Sequence, residues 1–312
     1  MCSRIMFKVA ALYHFTRFDA PDAIRAQVAD LAESQGIRGM ILIAHEGING
    51  TISGNETAID EIITTLRALP GCAYMDVKYS VADAMPFYRM KVRVKREIVT
   101  MGVPGVDPTR IAGTYAAATD WNALIADPDT VVIDTRNAFE VRIGSFAGAI
   151  DPRIASFREF PAWFRENRDT LLAGKKRVAM FCTGGIRCEK STSFLKREGV
   201  EDVYHLQGGI LRYLETVSAA ESLWNGDCFV FDQRVAVSHA LAPGSHSLCY
   251  SCREPLNADD MASSHYVAGV SCPRCHGTRP HDQQANLAMR EKQMTLAAQR
   301  GEAHIGVRRP GG

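Results

Sequence analysis

The sequence predicts an α/β protein in three parts: a parallel-sheet domain, preceded by a smaller α+β domain of ferredoxin-like type and followed by a small cysteine-rich segment. Three observations carry that expectation. Between residues 115 and 222, short and wholly apolar strand candidates alternate with helices, the pattern of a parallel sheet buried on both faces. Upstream, the order strand, helix, strand pair, helix, strand suits a small α+β sandwich. Downstream, two C-x2-C pairs stand nineteen residues apart.

A chain of 312 residues exceeds what one core usually serves, so two or three domains are expected. With 46% hydrophobic and 23% charged residues it is a folding, globular composition. The net charge of +1 excludes a global bias toward nucleic acid or membrane, so a polyanion-binding surface must be local. Apolar runs such as "GMILIA" fall far short of the ~18 residues of a membrane span. Lys8, His14 and Arg17 interrupt the N-terminal apolar positions, which argues against a signal peptide. The expectation is a cytoplasmic protein without a membrane partner. Nine cysteines, an odd and scattered set, fit thiols, metal ligands or catalytic groups. Cys2, Cys72 and Cys228 show no motif context.

Residues 1–98 form the first predicted domain. "FKVAALYHFT" is apolar and β-prone, and "APDAIRAQVADLAESQG" carries helical spacing up to a C-cap at Gly36. "RGMILIAHEGINGTISG" reads as two strands joined by a turn around Gly47 to Gly50. "ETAIDEIITTLRALPG" reads as a second helix stopped by Pro70 and Gly71. "FYRMKVRVKREIV" alternates, with Arg89, Lys91, Arg93 and Lys95 on one face and Tyr88, Met90, Val92 and Val94 on the other. Those cations either discourage edge-to-edge pairing or track a polyanion backbone.

Residues 99–114, with "MGVPGVDP", read as a linker. Residues 115–222 give the helix "DWNALIADPD", the strand "TVVIDTR", the helix "SFREFPAWFRENRDTLL", the strand "RVAMFC", the helix "EKSTSFLKREG" and the strand "DVYHLQG". In such sheets function sits at the carboxyl ends of the strands, where Asp134 and Cys182 both fall. Residues 223–312 hold the paired cysteines, then the predicted helix "HDQQANLAMREKQMTLAAQRG" and a Gly/Pro/Arg-rich end expected to fray.

The stretch Cys182, Thr183, Gly184, Gly185, Ile186, Arg187 puts a thiol between a strand and the start of a helix. Glycines let the backbone curl so that successive N–H groups converge, and the helix adds its positive end. A thiol at that centre has its pKa depressed. Arg187 can close the ring and orient an oxyanion bidentately. Such a site suits a nucleophilic cysteine that carries an anionic adduct, a persulfide or a phosphoryl group.

"VVIDTRNAFEVRIGSFAGAI", "CTGGIRCEKS" and "HLQGGILRYLE", in that order, resemble the three motifs of rhodanese domains, with Asp134, Arg136, Glu140 and Gly144 in matching places. Together with "AHEGINGTISG", the basic strand, "MGVPGVDP" and the C-terminal cysteines, nearly the whole chain resembles the rhodanese-containing tRNA uridine hydroxylases of bacteria. The resemblance implies oxygen-dependent hydroxylation of the wobble uridine, position 34, to 5-hydroxyuridine. It implies molecular oxygen as co-substrate, a reductant it does not identify, and the tRNA anticodon region as partner. The family's active cysteine, a proposed persulfide carrier, maps onto Cys182, and a sulfur donor protein is a further partner. Arg89, Lys91, Arg93 and Lys95 then become candidate tRNA contacts.

By themselves the residues support thiolate or persulfide chemistry, and no flavin or nicotinamide fingerprint is present. Cys188 can resolve an oxidised Cys182 as a disulfide or simply pack its helix. Asp134 and Arg136 either line the pocket mouth or hold the loop by a salt bridge. Cys249, Cys252, Cys272 and Cys275 have zinc-ribbon spacing, which would make a closed, structural Zn site; free thiols are the alternative. His246, His265 and His276 are substitute ligands or surface histidines. Arg290 and Lys292 add RNA contacts or form a solvated face. His45 and Glu46 belong to a turn first and to acid–base or RNA chemistry second. Two rival functions stand beside the hydroxylase: a sulfurtransferase passing sulfane sulfur from Cys182, and an RNA-binding or sulfur-sensing module.

Overall fold

The first domain begins with β1 (Phe7–Phe15), α1 (Pro21–Ser34), β2 (Arg38–Ala44) and β3 (Gly47–Gly54), and ends with α2 (Glu56–Arg67), β4 (Asp76–Ala82) and β5 (Met90–Val94). The computed structural model describes residues 6–302; Cys2 and the Gly/Pro/Arg-rich end beyond them lie outside the described residues. The sheet order is β4-β1-β3-β2-β5. Ile59, Ile62, Ile63 and Leu66 of α2 are buried against Ile41, Ile43, Ile48 and Ile52 of the sheet. Asn55 starts that helix by accepting the Ala58 N–H at 2.8 Å.

The ferredoxin-like expectation holds with two corrections. The fourth strand of that fold is β4, "DVKYSVA", in which Lys78, Tyr79 and Ser80 break the apolar pattern that would mark a strand in the sequence. Lys78 is nonetheless buried. The basic strand is a fifth, β5, added at the sheet edge parallel to β2. Its Met90 and Val92 pack on the core, as the alternation predicts. The second correction concerns the β2–β3 turn, which falls at His45 and Glu46, with Gly47 already in β3. Gly47 has φ +136°, and a Cβ there would stand 2.0 Å from the His14 carbonyl oxygen, so the glycine serves strand approach rather than the turn.

The second domain comprises β6 (Thr114–Ala116), α3 (Ala118–Ala126), β7 (Thr130–Asp134), α4 (Ala138–Val141), β8 (Gly144–Phe146), α5 (Phe160–Leu172), β9 (Arg177–Phe181), α6 (Ile186–Arg197), β10 (Val203–Leu206) and α7 (Gly209–Thr216). Four parallel strands run in the order β6-β10-β9-β7. Val132, Ala179, Phe181 and Leu206 pack with Trp121 and Tyr213 on one face. Val131, Ile133, Val178, Met180 and Val203 pack with Phe160, Phe164 and Phe194 on the other. Burial on both faces is why these strands read as unbroken apolar runs. The segment expected as a linker is tied down: Met101 is buried in the second of those cores, and the Gly113 N–H donates to Thr192 Oγ1 at 2.9 Å.

The two domains meet along α6. Lys190 is almost fully buried and donates to Glu46 (2.9 Å), Glu97 (2.6 Å) and the Val99 carbonyl (2.9 Å). Tyr13 of β1 donates to Glu189 at 2.8 Å. Beyond them lie β11 (Trp224–Gly226), β12 (Cys228–Phe229), β13 (Ala236–Val237), β14 (Ser247–Leu248), β15 (Pro255–Leu256), α8 (Ala258–Ala262) and α9 (His281–Gln299). Among the described residues no helix is long and apolar enough to cross a membrane.

Candidate active site

Cys182 is the first residue past β9, and α6 begins four residues later with Gly185 as its N-cap at φ +102°. The loop between them is drawn tight from below. The N–H groups of Ile210 and Leu211, at the start of α7, donate to the carbonyls of Cys182 and Thr183 at 3.0 and 3.1 Å. With the carbonyls so engaged, the Gly185 N–H points inward and donates to Cys182 Sγ at 3.1 Å. Gly209 is needed for this approach, since a Cβ there would stand 2.5 Å from the Cys182 oxygen.

Burial by itself pushes the Cys182 thiol up. Hydrogen bonds from the Cys188 thiol, the Arg187 charge and the N–H groups of Cys188 and Gly185 outweigh it and bring the pKa down to about 5. Cys188, buried in the first turn of α6, moves the opposite way through burial and the Cys182 charge. One sulfur of the pair is the thiolate and the other keeps its proton and donates.

Arg187 departs from expectation. Its guanidinium does not face an incoming anion bidentately; it grips Glu140 at 2.6 and 2.7 Å, both groups buried. Glu140 is itself the N3 residue of a capping box that starts α4. Arg187 therefore acts on Cys182 as a fixed neighbouring charge. Of the two roles open to Asp134 and Arg136, the structure shows the salt bridge. Both are fully buried, joined at 2.7 Å, with Arg136 also donating to the Gly144 carbonyl at 2.6 Å. Neither lines the pocket mouth.

Cys182, Thr183, Gly184 and Ile186 line a cleft of about 1630 Å³ that all three parts of the chain enclose. Arg89, Lys91 and Lys95 of the basic strand line it too. Arg93 is exposed and is not part of the lining. The strand is thus both a charged sheet edge and a cationic wall. His45 Nδ1–H donates to the Phe18 carbonyl (2.8 Å) and Glu46 is held by Lys190, so both serve the fold.

The sulfurs of Cys249, Cys252, Cys272 and Cys275 all lie within 4.8 Å of one another. Neighbouring pairs stand at 3.7 to 3.8 Å. A tetrahedral metal with bonds of about 2.3 Å places its sulfurs roughly 3.8 Å apart, so the four side chains fit such an ion. His265 and His276 stack on each other instead, and His246 meets Asp227 at 2.9 Å. Tyr13, absent from every motif above, also lines the cleft and is held from the second domain by Glu189. A Cβ on Gly185 would stand 2.7 Å from the Tyr13 hydroxyl. No motif spacing marks a residue whose partner is 176 positions away.

Comparison with known proteins agrees with this architecture. Residues 7–98 match the family model of the UPF0176 acylphosphatase like domain, and residues 117–216 match the Rhodanese-like domain. Over 303 residues the chain is 56% identical to a protein of Gluconobacter oxydans named tRNA uridine(34) hydroxylase, covering 96% of this chain and 97% of that one. Proteins of the same name from Caulobacter vibrioides and Mesorhizobium japonicum are 55% and 57% identical, over 97% and 96% of this chain and 98% and 96% of theirs.

Proposed function

The chain belongs to the tRNA uridine(34) hydroxylase family, and from that premise we propose that it hydroxylates the wobble uridine of tRNA at a site centred on Cys182. The observation that supports the site is the meeting of a buried thiolate with a cation-lined cleft too large for a small metabolite alone, since such pockets usually measure ~300–1000 Å³. Lys91, Arg89 and Lys95 hold the RNA backbone, and the wobble base enters toward Cys182. The loop N–H groups and Arg187 stabilise negative charge on Cys182 Sγ or on a persulfide it carries; Cys188 donates to it. Oxygen-dependent hydroxylation that leaves one oxygen atom on the base and releases the other as water needs two electrons, so a reductant is a further substrate.

The four C-terminal cysteines would hold a structural Zn²⁺. All four positions are thiolates, leaving none for water, so the ion would supply fold rather than chemistry.

Nucleoside mass spectrometry of total tRNA tests the reading, in cells lacking the gene and complemented with wild type or Cys182→Ser. The expected result is loss of 5-hydroxyuridine and its derivatives, restored only by the intact cysteine. Persistence of those nucleosides in the deletion strain, with no second route to them, sinks it.

A further inference from the structure

We propose that the cysteine-rich segment forms one wall of the RNA site, with Tyr250 and Arg253 of the Cys249–Cys252 knuckle gripping a nucleotide next to the base delivered to Cys182. The inference rests on the tRNA reading above and adds a surface to it.

Placement is the first support. Tyr250, Arg253 and Arg290 line the same cleft as Cys182 and the basic strand. Tyr250 donates to Gln233 Oε1 at 2.7 Å, and Gln233 also accepts from Tyr88, beside β5, at 3.2 Å. The Gln233 N–H in turn donates to the Pro86 carbonyl at 3.0 Å. This chain of contacts fixes the knuckle against the first domain.

Charge is the second. Burial, then Arg89, Arg93 and Arg253, lower the Lys91 ammonium below its ordinary value, so the knuckle and the basic strand share one field. None of Arg89, Lys91 and Arg253 forms an ion pair among the described residues, whereas the acids of the lining are engaged, Glu97 by Lys190 and Asp232 by Arg234. An anion in the cleft relieves that crowding, and an RNA backbone supplies several phosphates.

The third support is the aromatic content. Phe231, 61% exposed, lines the cleft, and the Tyr250 ring has the guanidinium groups of Arg253 and Arg290 at 5.5 and 5.9 Å. Rings and guanidinium planes are the surfaces on which unstacked bases lie. Arg253 holds φ +69°, a left-handed conformation costly for arginine, with its N–H donating to the Cys249 carbonyl at 2.8 Å. Ligation of Cys249 and Cys252, which precede Arg253 in that turn, would keep it in place.

Fluorescence anisotropy with a labelled anticodon stem-loop RNA, uridine at the wobble position, tests this on the full chain. Tyr250→Ala and Arg253→Glu are each expected to weaken affinity roughly tenfold or more, and Arg253→Glu to flatten the salt dependence. Unchanged thermal midpoints check folding. Affinities within about twofold of wild type overturn the inference while leaving the tRNA reading standing. Should a variant fail to fold, wild type photo-cross-linked through 4-thiouridine beside the wobble base decides. A cross-linked peptide holding Tyr250 or Phe231 supports the wall, and cross-links confined to residues outside the cleft overturn it. Wild type without RNA affinity overturns the tRNA reading itself and the wall with it.

Discussion

Arg187 and Glu140 form a closed pair: two hydrogen bonds of 2.6 and 2.7 Å between groups that solvent barely reaches. The pair links the first turn of α6 to the first turn of α4, and so holds the loop around Cys182 from the side. Burial alone would raise the Glu140 carboxyl, but the charge and hydrogen bonds of Arg187 outweigh it and hold it below the ordinary carboxylate range. Glu140→Gln leaves a buried guanidinium without its counter-charge and should destabilise the protein by about 3–5 kcal/mol. Because the folded carboxyl is depressed, its stabilisation is present above the unfolded value of ~4.3 and is lost as pH falls through the lower folded value. Denaturant titrations from pH 7 to pH 3 should therefore fall more steeply for wild type than for Glu140→Gln. Parallel curves would mean the pair contributes nothing of the kind.

Cys182 should react as a thiolate well below neutrality. The rate of alkylation by iodoacetamide is expected to stay flat from pH 8 to 6 and to halve near pH 5. Cys188→Ala and Arg187→Met each remove a stabiliser of the anion and should move the midpoint upward. A roughly eightfold drop in rate between pH 8 and 7, as for an ordinary thiol of pKa ~8.5, would refute the thiolate assignment.

The two glycines of the loop should differ. Gly185 combines φ +102° with a Cβ position 2.7 Å from the Tyr13 hydroxyl, whereas a Cβ on Gly184 meets nothing within 4 Å. Gly185→Ala is expected to cost about 1–3 kcal/mol and to abolish the low alkylation pKa. Gly184→Ala should fold with wild-type stability. Equal effects in a urea melt would show that loop strain is not what separates them.

Lys190 joins two carboxylates of the first domain to α6 of the second. Lys190→Met keeps the buried stem but leaves Glu46 and Glu97 facing each other, at a cost of about 3–5 kcal/mol. Limited proteolysis should then cut within residues 99–113, which wild type protects. An uncut variant would place the domain junction elsewhere.

Elemental analysis should find one zinc per chain, lost in Cys252→Ser and Cys272→Ser with a lower melting midpoint. Stoichiometry near zero in protein purified without chelator would leave the four sulfurs as free thiols.

The sequence alone was enough for the parallel sheet, because strands buried on both faces leave unbroken apolar runs between helices. Local motifs likewise disclosed the Cys182 loop and the four C-terminal cysteines, whose chemistry depends on spacing over a few residues. The fourth strand of the first domain was illegible, since the polar middle of "DVKYSVA" hides a strand whose Lys78 is buried by neighbours from elsewhere. The roles of Arg187, Asp134 and Arg136 were half legible: their residue types promised ion pairs, but only folding chose the partners.

What the tertiary structure decided by itself is which residues meet across the chain. Tyr13 meets Glu189, Lys190 meets Glu46, and Tyr250 meets Gln233 across separations of 176, 144 and 17 positions. A single sequence records hydrophobic period, turn chemistry and local spacing, all of which act over one or two helical turns. The side chains that wall a site between three parts of a chain are brought together by packing of whole domains, and packing leaves no periodic trace in the residues it joins.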